Sequence, residues 1–311
     1  MRVRVRVPAT SANLGPGFDV LGVALKLYNE LEVEYPYKGK KGKPNLIEIS
    51  GEGKEFLPKD EKNIVWKAMK AVFNTRSKKK RNSHYKFGQF KIKMKNNIPI
   101  GSGMGSSAAA HLSGILAANE IIGRKLNKDE IISLGVGFEG HSDNIVSALL
   151  GGFCISVLNG GNIKYLKLKT PKLKAVVSSP DFQLPTEKSR KVLPKKVSLS
   201  QAVFNCERLS LLVSALQNGS FEMLSTAMED KIHQPYRARF IPGMKKIFET
   251  AINAGAYGAA LSGSGPSIIA LCDNKSGAKI GRSIEKVWKK YKVKSKYFIL
   301  DFDKEGAKIW R

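Results

Sequence analysis

Pro99-Ile100-Gly101-Ser102-Gly103-Met104-Gly105-Ser106-Ser107-Ala108-Ala109 is the stretch on which the reading of this chain turns. Before it, Gln89-Phe90-Lys91-Ile92-Lys93-Met94-Lys95 alternates apolar and polar residues, the period of a strand with one buried face. After it, Ala108 to Glu120 is rich in alanine and carries Leu112, Ile115 and Leu116 on one side, the pattern of a buried helix. A strand, alternate glycines and a helix start together suit an anion. Glycine lets the backbone approach a ligand and turn several N–H groups towards it. The helix N-terminus adds unpaired donors and about half a positive charge. Ser106 and Ser107 stand where a hydroxyl either caps the helix or reaches a metal ion on the phosphates.

Two better-known loops are excluded. No lysine follows Gly105, as a P-loop requires. Position 106, where the dinucleotide fingerprint needs a further Gly or Ala, is Ser. Read alone, the segment also suits a plain strand-to-helix turn with a serine N-cap.

Outward from this loop the chain divides in two. Its 311 residues suffice for about two domains, and 42% hydrophobic with 25% charged residues is ordinary for a globular protein. Arg2 to Val7 alternates Arg with Val, a half-buried strand, and Pro8 to Asp19 is so dense in turn-forming residues that it reads as a structured loop. Helices are expected over 63–73 and 128–139, and strands over 154–158 and 162–168. A fresh strand at 173–178 places a domain boundary near 170. Beyond it, helices are expected over 198–216, 220–230, 244–254 and 279–291, with strands over 267–271 and 296–300.

The charge is the unusual quantity. Lys and Arg number 53 against 26 Asp and Glu, a formal +27. Such a balance suits a nucleic-acid partner, an enzyme with anionic substrates, or a solvated lysine-rich surface, and alone it does not choose. The basic runs at 38–43 and 76–81 lack interleaved aromatics and read as solvated loops, so no nucleic-acid partner is expected. No signal peptide opens the chain and no apolar run is long enough for a membrane span, which points to a soluble cytoplasmic protein without a membrane partner. Cys154, Cys206 and Cys272 are far apart and odd in number, against a disulfide scaffold or a zinc site, and read as small buried hydrophobes.

Three segments carry a family resemblance. Pro8-Ala9-Thr10-Ser11-Ala12-Asn13-Leu14-Gly15-Pro16-Gly17-Phe18-Asp19, then Pro99 to Ala109, then Gly255-Ala256-Tyr257-Gly258-Ala259-Ala260-Leu261-Ser262-Gly263-Ser264-Gly265-Pro266 resemble, in order, the three motifs of the GHMP small-molecule kinases. The resemblance covers almost the whole chain. Glu139-Gly140-His141-Ser142-Asp143-Asn144, Arg190-Lys191-Val192-Leu193-Pro194, Ala202-Val203-Phe204-Asn205 and His233-Gln234-Pro235-Tyr236-Arg237 look like the branch of that family that acts on homoserine. Two departures stand out: Ser142 where that branch often has Pro, and Ser102 where Arg is common.

The resemblance implies an α+β, two-domain GHMP kinase fold: a ribosomal S5 domain 2-like N-terminal, ATP-binding domain over 1–170 and a ferredoxin-like C-terminal domain over 171–311. It implies ATP-dependent phosphorylation of the side-chain hydroxyl of L-homoserine, in threonine biosynthesis, with ATP and Mg²⁺ as cofactors. Pro99, Gly101, Ser102, Gly103, Met104, Gly105, Ser106 and Ser107 would hold the phosphates, with Asn63 near adenine. Ser107 and Glu139 would hold Mg²⁺. Arg190 and Arg237 match the family's substrate arginines, and the guanidinium fork suits the substrate carboxylate. Asn13, Asp19 and His141 would complete the substrate pocket, Asp19 against the ammonium. Asp143 has the chemistry of a general base. The homoserine branch implies direct attack without a dedicated base, so Asn144 is read as the group that positions the hydroxyl, and the base stays open. His111 and His233 carry no assigned role. A homodimer is compatible with all of this, and the sequence does not set the oligomeric state.

Overall fold

The computed structural model describes residues 1–37, 46–75, 85 and 89–311. Both basic runs and His84 lie outside the described residues.

Strand β1 spans Arg2–Asn13, longer than the Arg-Val repeat predicts. Val3, Val5 and Val7 are buried while Arg2 and Arg4 face solvent, as the alternation requires. The turn-rich segment from Pro8 onward is not a loop. It continues the strand against β2 (Gly17–Glu34), with register shifts at Pro8/Ala9 and Ala12/Asn13. A proline cannot donate to a ladder but is accommodated at such an irregularity. The true turn is confined to Leu14, Gly15 and Pro16.

The first sheet is completed by β3 (Leu46–Gly51), β4 (Lys91–Asn96), and the hairpin of β5 (Phe153–Asn159) with β6 (Asn162–Leu168). Its helices are α1 (Ile64–Thr75), α2 (Ser106–Ile121), α3 (Lys128–Glu139) and the unanticipated α4 (Asp143–Leu150). Helix α3 matches its expected range and starts on a capping box, Asn127 with Glu130. Buried α2 lies between α1 and strands β1 and β2, so its N-terminus is held against the end of β1.

The second sheet holds β7 (Lys174–Pro180), β8 (Gly258–Leu261), β9 (Ile268–Cys272) and β10 (Ser295–Asp301) in the order β10-β7-β9-β8. All its pairs are antiparallel, the βαββαβ arrangement of a ferredoxin-like domain. Around it lie α5 (Thr186–Lys191), α6 (Leu199–Asn218), α7 (Leu224–Ala227), α8 (Gln234–Arg237), α9 (Met244–Asn253) and α10 (Gly277–Lys290). The single helix expected over 220–230 is instead a 3₁₀ turn followed by α7. The Asp230 side chain accepts from the backbone N–H groups of Ile232, His233 and Gln234, and so starts the next helix rather than ending this one.

The two sheets separate between β6 and β7, near residue 170. The division is not clean at the other end. Phe302 bridges to Leu25, and β11 (Lys308–Trp310) pairs with β1, so the last residues return to the first sheet. Of the cysteines, Cys154 and Cys272 are buried as expected, but Cys206 is exposed.

Candidate active site

The glycine loop is shaped by what lies beneath it. Gly105 is the N-cap of α2 in the left-handed region (φ 69°), and no side chain caps the helix there. Of the two roles open to Ser106 and Ser107, capping is therefore not the one realised. Ser106 Oγ lies 3.4 Å from the Ile98 carbonyl, and Ser107 Oγ donates to Glu139 Oε1 at 2.7 Å. A Cβ at Gly103 would sit 2.2 Å from the Ser262 carbonyl oxygen, and one at Gly105 1.9 Å from Thr10 Oγ1. At both places only glycine fits, which leaves the first N–H groups of α2 for an anion.

The three motifs are stitched to one another. Thr10 N–H donates to the Met104 carbonyl at 3.1 Å, and Asn13 Nδ2 donates to the Gly263 carbonyl at 2.9 Å. Ser262 Oγ lies 2.8 Å from the Gly103 carbonyl and 2.9 Å from Ser11 Oγ. Loop, first strand and third motif thus form one buried seam.

One cavity opens on that seam. It is lined by Gly101, Ser102, Gly103, Gly105, Ser106 and Ser107 from the loop, and by Asn13, Asp19, Glu139, His141, Asp143, Asn144, Arg190 and Arg237. Three expected residues do not line it. Asn63 is buried and caps α1, its Oδ1 accepting from Val65 N–H and its Nδ2 donating to the Pro58 carbonyl. Met104 lies in the core, and Pro99 contributes a carbonyl to Ser102 Oγ. Leu184, Pro185 and Thr186 line the cavity without having been singled out in the sequence, and Ala12, Gly263 and Ser264 line it from within the quoted motifs without an assigned role.

Each carboxylate that lines the cavity is paired with a histidine or with Arg190. Glu139 Oε1 meets both Ser107 Oγ and His111 Nδ1 at 2.7 Å. Burial alone would raise the Glu139 carboxyl, but the bonds from His111 and Ser107 outweigh it and hold the group below its ordinary value. His141 Nδ1 lies 2.7 Å from Asp143 Oδ1. Burial opposes protonation of His141, and the Asp143 bond and charge reverse that to raise it. Arg190 binds Asp19 through both Nη atoms, at 2.6 and 3.0 Å. Arg237 is almost wholly buried and its guanidinium is pushed down to about 10 by burial and by Arg190, which still leaves it charged at neutral pH.

Residues 63–152 match the family model for the GHMP kinases N terminal domain, and residues 212–290 that for GHMP kinases C terminal. The chain is 43% identical over 305 residues to the homoserine kinase of Carboxydothermus hydrogenoformans, covering 98% of this chain and 96% of that one. It is 43% identical over 312 residues to the homoserine kinase of Caldicellulosiruptor saccharolyticus, covering 99% and 96%. The chain belongs to the homoserine kinases of the GHMP family. Among solved structures, the homoserine kinase from Cytophaga hutchinsonii superimposes with a TM-score of 0.85 at 31% identity, over 99% of this chain and 97% of that one. The two-domain GHMP kinase architecture follows, with the cavity between its domains.

Set in this family, two histidines left without a role take on structural meaning. His111 holds the Glu139 carboxylate and stacks on Phe138. His233 is fully buried: its Nε2 lies 2.7 Å from the Gly15 carbonyl and its Nδ1 3.1 Å from Arg237 Nη1. A carbonyl and a guanidinium permit only one tautomer, with Nε2–H donating and Nδ1 accepting. His233 and Arg237 stand four residues apart in the sequence, whereas His111 meets Glu139, and His233 meets Gly15, only through the fold.

The chemistry of Ser107 and Glu139 also suits a hard divalent cation. They bring a hydroxyl and a depressed carboxylate into contact at the mouth of the loop. Among the described residues no cluster of three or more His, Cys, Asp or Glu side chains could hold a metal unaided. A cation here would take its remaining ligands from phosphates and water, the habit of Mg²⁺.

Proposed function

We propose that this chain transfers the γ-phosphoryl group of ATP to the side-chain hydroxyl of L-homoserine, giving O-phospho-L-homoserine on the way to threonine. The observation that carries this reading is the single cavity that combines a phosphate loop with Arg190, Arg237 and Asp19. Two arginines and an acid complement an amino acid, with its carboxylate and ammonium, and have little use for a sugar.

Phosphoryl transfer needs positioning and charge neutralisation more than covalent chemistry. In this reading the open N–H groups of α2 and the loop hold the ATP phosphates. Mg²⁺, held by Ser107 and Glu139, would neutralise charge on the phosphate oxygens. Arg190 and Arg237 grip the homoserine carboxylate, and Asn13 and Asp19 take the ammonium, with His141 completing the wall. Asn144 positions the hydroxyl in line with the γ-phosphorus. Asp143, bonded to Asn144, is the carboxylate available to take the proton. The cytoplasm, where free thiols persist, suits the unpaired cysteines.

A coupled assay of ADP release over homoserine, mevalonate, shikimate and galactose tests the proposal. Homoserine-dependent release is expected. Turnover of another alcohol with none of homoserine would overturn it.

A further inference from the structure

We propose that Thr10 is a positioning residue for phosphoryl transfer: its buried hydroxyl locks the Asn144 amide in one orientation and ties it to the phosphate loop. The inference rests on the role proposed above for Asn144.

Thr10 lies on β1, fully buried, and its Oγ1 is 2.6 Å from Asn144 Oδ1. On the other side of that amide, Asn144 Nδ2 is 3.1 Å from Asp143 Oδ1. An ionised carboxylate only accepts hydrogen bonds, so the side of the amide facing Asp143 must be the NH₂. The oxygen then faces Thr10, whose hydroxyl donates to it. One hydrogen of Nδ2 goes to Asp143. The other, with the second lone pair of Oδ1, is left for a substrate hydroxyl. Without the Thr10 proton, nothing on the β1 side holds the amide in its plane.

The same hydroxyl lies under the loop. A Cβ on Gly105 would fall 1.9 Å from Thr10 Oγ1 and 3.2 Å from Asn144 Oδ1. The Thr10–Asn144 bond thus occupies the space that the missing Gly105 side chain leaves, at the N-cap of α2. With the Thr10 N–H bonded to the Met104 carbonyl at 3.1 Å, one residue joins the amide that aims the nucleophile to the loop proposed to hold the phosphates. Displacements of about 1 Å in such a pair cost up to ~100-fold in rate.

The test compares Thr10→Val, which keeps the shape and removes the hydroxyl, with Thr10→Ser, which keeps the hydroxyl. Steady-state kcat and KM for both substrates, ADP affinity by calorimetry and the melting temperature are measured. Thr10→Val is expected to lower kcat roughly 10- to 100-fold with KM for ATP and ADP affinity nearly unchanged, and Thr10→Ser to stay within about 3-fold of the parent. In an Asn144→Ala background, Thr10→Val is expected to cost nothing further, since the hydroxyl acts through that amide. Should the valine variant not fold, Thr10→Ser against Thr10→Ala gives the same contrast. Equal losses in Val and Ser, no loss in Val, or an additive double variant would overturn the inference. If the parent ignores homoserine but phosphorylates another alcohol, the substrate reading fails, and the Val–Ser contrast on that alcohol still decides the role of Thr10.

Discussion

Asp19 and Arg190, 171 positions apart, close on each other through two hydrogen bonds of 2.6 and 3.0 Å across the boundary between the domains. One is the acid proposed for the substrate ammonium and the other an arginine proposed for its carboxylate. This pairing of acid and guanidinium is the one that a zwitterionic amino acid would replace. The pair is partly exposed, with about a third of each side chain accessible, so solvent screens it and it opens readily.

Asp19→Asn should separate the two roles. The backbone tolerates it, since Asp19 sits at φ 57°, where Asn is well suited. Loss of the carboxylate removes the ammonium partner and also frees Arg190. We expect KM for homoserine to rise about tenfold, the size of one charge-assisted hydrogen bond. 4-Hydroxybutyrate, which lacks the ammonium, should bind the variant more tightly than the parent. Weaker binding of both compounds would mean that Asp19 is needed to hold Arg190 in place.

His233 sets an acid limit on stability. Burial pushes its imidazole down to about 4, with Asp230 and Asp19 pulling it up and Arg237 pushing it down further. The unfolded chain protonates this residue near 6.5 and the folded one only near 4. Its contribution is therefore complete above about pH 6.5 and is lost as pH falls towards 4, by roughly 3 kcal/mol in all. His233→Gln should be less stable at neutral pH, because the bonds to Gly15 and Arg237 are disturbed, yet should lose less on acidification. Denaturant melts at neutral and acid pH measure both slopes, and parallel slopes would remove His233 from the explanation.

Glu120 ties the end of the chain to α2. Its carboxylate is fully buried and accepts from Arg124 Nε at 2.7 Å and Arg311 Nε at 2.6 Å. Arg311→Ala leaves half of that carboxylate without a partner. A loss of about 1–2 kcal/mol is expected, read as a melting temperature lower by roughly 2–3 °C. ADP release should be unaffected, since none of these residues lines the cavity. A reduced rate at full stability would show that the chain end communicates with the loop.

Much of this site is legible in sequence because the loop that lines it is built from residues adjacent in the chain. A Cβ at Gly103 or Gly105 would fall 2.2 or 1.9 Å from a neighbouring oxygen, and the resulting need for glycine writes itself as a local pattern. Relations over long separations leave no such trace: Asp19 with Arg190, Thr10 with Asn144, His233 with Gly15. The same limit applies to the fold. Turn-forming residues at Pro8 to Asn13 outweighed strand pairing that only β2 supplies. The unbroken helix expected over 220–230 overlooked Asp230, whose carboxylate caps the following turn. Asn63 carries a family role in sequence, while the fold engages its Oδ1 in the cap of α1 and its Nδ2 with the Pro58 carbonyl.

The proposed cation site can be tested without turnover. Glu139 accepts from Ser107 and His111 on Oε1, and Oε2 has no hydrogen-bond partner among the described residues. A carboxylate so held keeps one oxygen and its charge for a ligand. In the parent, Mg²⁺ should therefore tighten ADP binding. Glu139→Gln preserves the shape but removes the charge, so ADP alone should bind it at least as well as the parent, while the gain from Mg²⁺ should fall by roughly tenfold. His111→Phe removes the ring nitrogen that orients the carboxylate and should lose part of the same gain. Isothermal titration of ADP with and without Mg²⁺ gives all three values. An undiminished Mg²⁺ gain in Glu139→Gln would place the cation on the phosphates alone, and the Ser107–Glu139 contact would then be a structural link between α2 and α3.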